Sequence, residues 1–347
     1  MSKLDELIAE LCPDGVEYKE IAEIFELKNG YTPSKRNNDF WENGTVPWFT
    51  LNDIRTNGRL LDDSIQHVTE DGVKGGKLIP KGSIIMSTTA TIGEHALIKV
   101  DALTNQQITS FSLRTSYNNK LDIMFAFYYF FIYGEWCQKN ANQSGGMAII
   151  SLKKLKQFKI PLPPLPVQQE IVRILDNFTE LTAELTAELT ARRKQYEYYR
   201  DLLLTFGDEV PMKPLSEVCV LSAGGDVPKR HFSKEKTNEY KVPIYSNGIG
   251  DNALYGWTNE ARINNPCITI AARGTIGYVA LRNEPFVPVV RLICAIPKEC
   301  INVRYLKYAT ETLNFKVPTS GIPQLTVPMI GKYNIPVPPL EEQERIV

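Results

Sequence analysis

The chain has 347 residues, of which 43% are hydrophobic and 23% charged; this excludes a disordered or fibrous protein and favours two or more globular domains. Six scattered cysteines without a CxxC pair exclude a disulfide framework and a zinc ribbon. The net charge of −1 argues against a strongly basic nucleic-acid binder. However, residues 1–27 carry eight of the 40 acidic residues and only two of the 39 basic ones, so that residues 28–347 have a net charge of +5.

The chain is predicted to begin with a helical extension (1–15) and a β-rich domain (16–158). The sequence MSKLDELIAEL is typical of an acidic amphipathic helix and lacks the apolar run of a signal peptide. VPWFTL (46–51) and GSIIMSTT (82–89) are typical of strands. The aromatic run over 121–136 predicts a buried helix, because its apolar part is about half as long as a membrane span. We therefore expect a cytoplasmic chain that makes no membrane contact.

The region 159–207 is predicted to be a proline turn followed by a long spacer helix. PLPPLP (161–166) cannot be helical, because proline lacks an amide proton and forces its predecessor into an extended conformation. From Val167 to about Phe206 the chain has no glycine or proline, and its apolar period is close to a heptad. Such a helix is roughly 60 Å long and would end at Gly207. The apolar positions expected to pack against a partner are Ile171, Leu175, Phe178, Leu185, Leu189, Tyr196, Tyr199 and Leu203.

A short repeat, TAEL-TAEL at 182–189, lies inside this predicted helix. It is either a plain helical stretch of good helix formers or a ruler between two domains. As a ruler, each four-residue unit would change the helix length by about 6 Å.

The remaining sequence predicts a second β-rich domain (208–334) and the start of a distal helical region (335–347). KVPIYS (241–246), PCITIAA (266–272) and VPVVRLICAI (287–296) are typical of strands, and residues 303–313 of a helix. Three windows of this half repeat the first half in order, at offsets of 194, 184 and 175 residues. In the last window Gln168 recurs as Gln343 within the same proline-rich context. The chain is therefore a tandem duplication.

No catalytic motif accompanies the duplication. The three histidines have no metal-ligand spacing, and each is expected at the surface or in a loop. A GxSxG nucleophile elbow, a GxxxxGK[ST] phosphate loop and a GxGxxG dinucleotide fingerprint are all missing from the sequence. We therefore expect no catalytic residue, no metal site and no cofactor bound by this chain.

The loops of both copies are rich in polar and basic side chains. Such residues are common in solvated turns, but the same chemistry suits phosphates and base edges. Because loops at matching places of the two copies differ in their polar residues, two related readers with different targets are predicted. The candidate DNA-binding residues are Lys35, Arg36, Asn52, Arg55, Thr89 and Gln106 in the first copy, and Lys229, Arg230, Asn247, Arg273, Ser320 and Gln324 in the second.

Three features together resemble the specificity (S) subunit of type I restriction-modification systems. They are the duplicated Ile-Pro-x-Pro-Pro-Leu-x-x-Gln-x-x-Ile-Val motif, the helix that carries TAEL, and Tyr-x-Tyr-Tyr-Arg-Asp-x-Leu-Leu at 196–204. The resemblance implies an α+β fold with two similar target recognition domains in pseudo-twofold arrangement, joined by the spacer helix. Each domain would read one half of a split double-stranded DNA sequence.

The resemblance also implies partners. These are two methyltransferase subunits that bring S-adenosylmethionine, and restriction subunits that use ATP and Mg²⁺. In that family a second long helix follows the second domain, so we expect this helix to be missing here. Either the gene product is truncated or rearranged, or another S chain supplies the helix. Two alternatives are a partly inactive truncated subunit and a structural adaptor that pairs through its helix without binding DNA.

Overall fold

The computed structural model describes residues 2–143, 146–317 and 323–347. It divides the chain into two compact units, Met1–Thr186 (unit 1) and Ala187–Val347 (unit 2). Both units combine short strands with helices, so the predicted α+β class is confirmed. The long helix α6 (Leu165–Leu203) contributes residues to both units.

The other elements of unit 1 are short apart from one long aromatic helix. Its strands are β1 (Tyr18–Glu20), β2 (Phe25–Asn29), β3 (Val46–Phe49), β4 (Leu60–Leu61), β5 (His67–Val68), β6 (Ile84–Ser87), β7 (His95–Ile98), β8 (Leu103–Thr104), β9 (Ile108–Leu113) and β10 (Lys159–Pro161). Its helices before α6 are α1 (Lys3–Leu11), α2 (Ile21–Ile24), α3 (Leu51–Thr56), α4 (Ile123–Asn140) and α5 (Leu152–Gln157).

Unit 2 repeats most of this order of elements, without counterparts of α1, α3 and β4 among its described residues. Its strands are β11 (Met212–Pro214), β12 (Cys219–Ala223), β13 (Val242–Tyr245), β14 (Leu254–Thr258), β15 (Cys267–Ile270), β16 (Val279–Arg282), β17 (Val287–Pro288), β18 (Ile293–Pro297) and β19 (Asn334–Pro336). Its helices after α6 are α7 (Leu215–Val218), α8 (Val303–Glu311), α9 (Val327–Ile330) and α10 (Leu340–Ile346). The predicted strands at 46–51, 82–89, 241–246 and 266–272 are confirmed as β3, β6, β13 and β15, and the predicted helix at 303–313 as α8.

The sheets of the two units have matching topologies. In unit 1 the larger sheet has the order β2-β9-β6-β7-β4, and in unit 2 it has the order β12-β18-β15-β16. A three-stranded sheet accompanies each, β5-β3-β8 and β14-β13-β17, in which the central strand pairs in parallel with β8 or β17. Two-stranded pairs, β1-β10 and β11-β19, complete the match. The strand order of unit 1 thus recurs in the described part of unit 2, except that β4 has no counterpart there.

The core of unit 1 is aromatic and is built around α4. Phe130 and Tyr133 of α4 are fully buried and meet Phe25 and Phe111 of the larger sheet in edge-to-face contacts. These geometries favour ring pairs beyond the gain from burial alone. The aromatic helix predicted over 121–136 is therefore confirmed as a core element. Within the described residues, none of the helices, α4 included, has the length and apolar character that a membrane crossing requires.

The glutamine of the duplicated proline motif is a buried hydrogen-bonding centre. Gln168 Oε1 accepts from the backbone N–H of Asp122, the N-cap residue of α4, at 2.8 Å. Its Nε2 donates to the carbonyl oxygens of Lys120 at 2.8 Å and Pro163 at 2.6 Å. The side chain thereby joins the proline turn, the start of α4 and the start of α6, which explains why this motif needs glutamine.

Gln343 makes the same contacts in unit 2. Its Oε1 accepts from the N–H of Asn302, the N-cap residue of α8, at 2.8 Å. Its Nε2 donates to the carbonyl oxygens of Cys300 at 3.0 Å and Pro338 at 2.8 Å. Two divergent copies thus use one local solution to satisfy equivalent backbone groups.

The N-terminal helix is attached to unit 1 through Glu170 of α6. The Glu170 carboxylate is 4% exposed and accepts from Lys3 Nζ at 3.1 Å and Arg173 Nη2 at 2.6 Å. Because Arg173 and Lys3 stabilise the ionised form, the pKa of Glu170 falls to about 2. A nearly buried carboxylate that stays charged needs such partners.

The long helix differs from the prediction at both of its ends. Pro166 lies in its first turn, whereas the whole of 161–166 was predicted to lie outside any helix. The prediction was wrong because proline is tolerated in the first turn of a helix, where the backbone N–H has no partner within the helix. At the other end α6 stops at Leu203, before Gly207. Along its middle Phe178, Leu185 and Leu189 are 63%, 57% and 71% exposed.

One histidine was misplaced by sequence reasoning. His95, expected at the surface or in a loop, is fully buried at the start of β7. Its ring nitrogens lie 3.1 Å from the Gly93 carbonyl oxygen and 3.2 Å from that of Phe127. The prediction failed because α4, whose Phe127 carbonyl oxygen lies 32 residues away in the sequence, covers the imidazole, and local sequence does not show that.

The predicted strand at 287–296 is interrupted. Residues 289–292 form a turn between β17 and β18, in which Val290 and Arg291 have φ of 54° and 61°. The apolar run predicted a continuous strand, but the fold places β17 and β18 in different sheets. A sharp turn is required to join them.

Candidate nucleic-acid interface

The larger sheet of unit 1 brings several strand ends to one edge. β2 ends at Asn29, which pairs with Thr109 near the start of β9, and β6 ends at Ser87, which pairs with Ile108. β7 begins at this edge too, because it is the antiparallel neighbour of β6. We call this edge the loop end of unit 1, since the connections 30–45, 88–94 and 105–107 all leave the sheet there.

Four candidates of the first copy lie in these connections. Lys35 and Arg36 follow β2, Thr89 follows β6 and Gln106 precedes β9. Thr89 is half-buried, whereas the other three are exposed. Thr32 Oγ1 donates to Gln106 Oε1 at 2.5 Å, which joins the connections 30–45 and 105–107. The topology therefore brings together residues that are up to 71 positions apart in the sequence.

The remaining two candidates of the first copy, Asn52 and Arg55, lie on α3. Both are exposed, but the guanidinium of Arg55 is bound to the carboxylate of Glu94 through Nε at 2.9 Å and Nη2 at 2.7 Å. The pairing raises the pKa of Arg55 and lowers that of Glu94. Because Glu94 belongs to the connection 88–94, this ion pair attaches α3 to the loop end and leaves Arg55 as a positioning residue there.

Lys35 is held over aromatic rings. Its Nζ lies 5.7 Å from the ring centroid of Trp41 and 5.7 Å from that of Trp48. The two indoles meet edge to face at 5.0 Å, and Trp48 Nε1 donates to the Tyr31 carbonyl oxygen at 3.0 Å. A cation placed over indole faces keeps its charge while it loses side-chain freedom. Lys35 is thus preorganised to meet an anion.

Unit 2 has an equivalent loop end. β12 ends at Ala223, which pairs with Ile293 at the start of β18, and the last residue of β15, Ile270, pairs with the same Ile293. β16 begins at this edge as the antiparallel neighbour of β15. The connections 224–241, 271–278 and 289–292 therefore leave the sheet on the same side as their counterparts in unit 1.

Most candidates of the second copy lie at this edge. Lys229 and Arg230 are exposed in the connection 224–241, and Arg273 is half-buried in the connection 271–278. Gln324 is brought there because the next residue, Leu325, donates its N–H to the Ala272 carbonyl oxygen at 2.9 Å. Ser320, another candidate of the second copy, lies outside the described residues.

Asn247, expected to contact a base, has its amide engaged within the protein. Its Nδ2 donates to the Val290 carbonyl oxygen at 2.7 Å, and its Oδ1 accepts from the Ala272 N–H at 2.7 Å. Its backbone carbonyl oxygen accepts from the Thr275 hydroxyl. Asn247 therefore joins the connections 271–278 and 289–292, which is a positioning role.

Sequence reasoning missed two basic side chains at this surface. Lys234 Nζ lies 4.5 Å from the ring centroid of Tyr255, and Lys236 Nζ lies 4.8 Å from that of Trp257. Both lysines are exposed, and two backbone hydrogen bonds between Ser233 and Trp257 attach their segment to β14. The basic density of the segment 229–241 was a signal that could have identified them, and the pattern parallels the stacking of Lys35 in unit 1.

Comparison with known proteins gives a consistent result. The family model of the type I restriction modification DNA specificity domain matches residues 13–192 and 208–347. The chain is 40% identical to the specificity subunit of the type I restriction enzyme EcoprrI from Escherichia coli, over 99% of this chain and 88% of the relative. A putative type I specificity subunit from Mycoplasma pneumoniae is 38% identical over 60% of this chain and 67% of the relative.

A solved structure agrees at the level of the fold. The S subunit of a type I restriction-modification system from M. genitalium matches with a TM-score of 0.60 at 19% identity, covering 96% of this chain and 87% of that chain. The two halves match one family model separately, as the repeated strand order requires. The resemblance that rested on the proline–glutamine motif is thereby confirmed: the chain belongs to the type I restriction-modification DNA specificity family.

Proposed function

We propose that this chain recognises a split double-stranded DNA sequence, one half with the loop end of each unit, and directs the methyltransferase and restriction subunits of a type I system to it. Family membership supports a DNA-specificity role without catalysis and does not favour the structural adaptor. The observation that carries the proposal is the shared topology, which gathers polar connections of different sequence at the same edge of both units.

The exposed basic residues would position the DNA and the polar residues would read it. Lysine and arginine contacts to phosphates fix the register of a protein on the duplex, whereas contacts to base edges supply sequence information. We assign Lys35, Arg36, Lys229 and Arg230 to phosphates. We assign Asn52, Thr89, Gln106, Arg273, Ser320 and Gln324 to base edges. Arg55 and Asn247 would hold these connections in place through the contacts described above.

The recurrence of the proline–glutamine region in both units supports the proposed partners. A methyltransferase subunit that docks on the proline–glutamine region of one unit would find an equivalent surface on the other, which supports two such subunits per chain. S-adenosylmethionine, ATP and Mg²⁺ would be bound by the partner subunits and not by this chain.

The exposed apolar positions of α6 have the spacing of a helix–helix seam. We propose that a second helix, supplied by another S chain, covers them.

Replacing Arg36 by alanine is expected to weaken DNA binding through one half-site only. The loss should be roughly tenfold, because a hydrogen bond to a charged group such as phosphate contributes about 1.5 kcal/mol or more. The full chain, assembled with its methyltransferase subunits, would be titrated with three duplexes: the intact target, one with the first half scrambled and one with the second half scrambled.

R36A should lose affinity for the intact target and for only one of the scrambled duplexes. Arg114, exposed at the opposite edge of the same sheet, provides a matched arginine-to-alanine control that should not alter binding. An equal further loss on both scrambled duplexes would contradict the assignment of one half-site to each unit.

Deleting residues 182–185 is expected to shorten the preferred gap between the half-sites by about one or two base pairs. Four helical residues span about 6 Å, which is slightly more than one full turn of helix. The change corresponds to one or two steps of about 3.4 Å along the duplex. The gap would be read from the methylated motif in DNA sequenced after modification by the assembled complex.

Thr182→Ala is the matched control, because it alters the same repeat without changing the helix length. Its hydroxyl donates to the Phe178 carbonyl oxygen within the helix, so alanine leaves the backbone pattern intact. A deletion variant that methylates the original motif with the original gap would refute the ruler.

A further inference from the structure

The turn between β17 and β18 places two consecutive non-glycine residues in the left-handed region. Val290 has φ of 54° and Arg291 has φ of 61°, and the Leu292 N–H donates to the Val289 carbonyl oxygen at 3.1 Å. Positive φ at both central positions is typical of a type I′ turn, which favours asparagine and glycine. A β-branched residue with positive φ is a genuine outlier. Such strain persists only where surrounding contacts enforce it.

Three hydrogen bonds enforce this turn. The Val290 N–H donates to the Gly225 carbonyl oxygen at 2.9 Å, and the Arg291 N–H donates to that of Gly224 at 3.1 Å. The Val290 carbonyl oxygen accepts from Asn247 Nδ2 at 2.7 Å. The turn is therefore rigidly held at the loop end of unit 2, although its side chains do not suit its backbone.

A turn with the same hydrogen bonds, but without positive φ at Gln106 and Gln107, lies at the loop end of unit 1. The Gly224 N–H donates to the Leu292 carbonyl oxygen at 2.8 Å, and the Gly30 N–H donates to that of Ile108 at 2.9 Å. The amides of Leu292 and Ile108 both close their turns onto a carbonyl three residues earlier. Leu292 and Ile108 are therefore equivalent positions.

Counting back from these positions, Val290 corresponds to Gln106 and Arg291 to Gln107. Gln106 is an exposed residue that we assign above to a base edge. Its equivalent in the second copy, Val290, and the next residue, Arg291, were missed because 287–296 was interpreted as one uninterrupted strand. The tip of this turn is thus the place in unit 2 where the proposed function expects a reader.

We infer that Arg291 is a specificity-determining residue of unit 2, presented to a base edge by the strained turn; this inference rests on the proposed function. Arg291 is exposed, and its Nη1 donates to Gln324 Oε1 at 3.2 Å. A guanidinium carries five N–H donors, so one hydrogen bond leaves its fork available for a bidentate contact. Guanine, with O6 and N7 in the major groove, is the base edge that suits this fork. Val290, 43% exposed beside it, adds an apolar surface at the tip.

The test compares Arg291→Ala and Arg291→Lys in the full chain assembled with its methyltransferase subunits. The probe is duplex DNA with randomised bases on both sides of a central gap, selected by binding to each complex and then sequenced. Arg304→Ala is the matched control, because Arg304 is an exposed arginine on α8 near the opposite end of β18. Wild type and R304A should select the same split sequence.

Both Arg291 variants are expected to lose at least tenfold discrimination at one base pair of one half-site, with the other half-site unchanged. Lysine should not restore it, because an ammonium lacks the planar fork that makes a bidentate contact. Three results would overturn the inference: an unchanged selected sequence, a uniform loss of affinity without loss of discrimination, or full restoration by lysine, since the last two indicate a phosphate contact. Failure of the proposed function is distinguishable, because wild type itself would then select no split sequence.

Discussion

Replacing Gln168 by methionine is expected to lower the free energy of unfolding by about 3 kcal/mol, with a Tm lower by roughly 10 °C. Methionine fills nearly the same volume but removes all three hydrogen bonds of the side chain. The N–H of Asp122 and the carbonyl oxygens of Lys120 and Pro163 would lose these bonds within the protein. Each buried backbone group left without a partner costs about 1 kcal/mol or more.

The adjacent Gln169 gives a matched control, because it is exposed on the same turn of α6. Q169M should unfold within about 1 °C of wild type, since exposed positions without special contacts contribute little. Gln343→Met should reproduce the loss in unit 2, where the same three contacts recur. Calorimetry of the three variants provides the measurement, and a Q168M protein as stable as Q169M would show that the glutamine does not hold the proline turn.

Acidification from pH 7 to pH 4 is expected to destabilise unit 1 by about 3 kcal/mol through His95 alone. Burial lowers the pKa of His95 to about 4 from an ordinary value near 6.5, and the nearby Arg59 guanidinium acts in the same direction. Between these two values the unfolded chain binds a proton that the folded chain does not. Stability due to the neutral imidazole is therefore complete above about pH 6.5 and is lost as the pH falls toward 4.

His95→Gln should flatten this part of the pH profile, because glutamine is neutral throughout. The measurement is the free energy of urea unfolding at several pH values from 7 to 4 for wild type and H95Q. His231, which is exposed in the connection 224–241, supplies the control for loss of a histidine. Equal slopes for wild type and H95Q over this range would mean that His95 is not buried in its neutral form.

Sequence patterns over short stretches were sufficient to predict those helices and strands whose structure depends on residues close to each other in the sequence. The duplicated motif around Gln168 and Gln343, the apolar period of α6 and the apolar runs of β3 and β6 all express short-range geometry, and each led to the correct element. The family could be inferred for the same reason, because the proline–glutamine motif performs one local task twice. The loops that carry Lys35, Arg36, Thr89 and Gln106 were also located as gaps between regular elements, whereas Asn52 and Arg55, expected in a loop, lie on α3.

Only the tertiary structure decided what those loops do with their side chains. Arg55 is paired with a carboxylate 39 residues away, and Asn247 has its amide occupied by backbone groups 25 and 43 residues away. His95 is buried because strand β7 and helix α4 enclose it, and the turn at Val290 and Arg291 exists because β17 and β18 belong to different sheets. The sequence determined which segments are strands and helices through local periodicity. Burial, ion pairing and backbone strain arose from contacts between distant segments, and they are set by the fold.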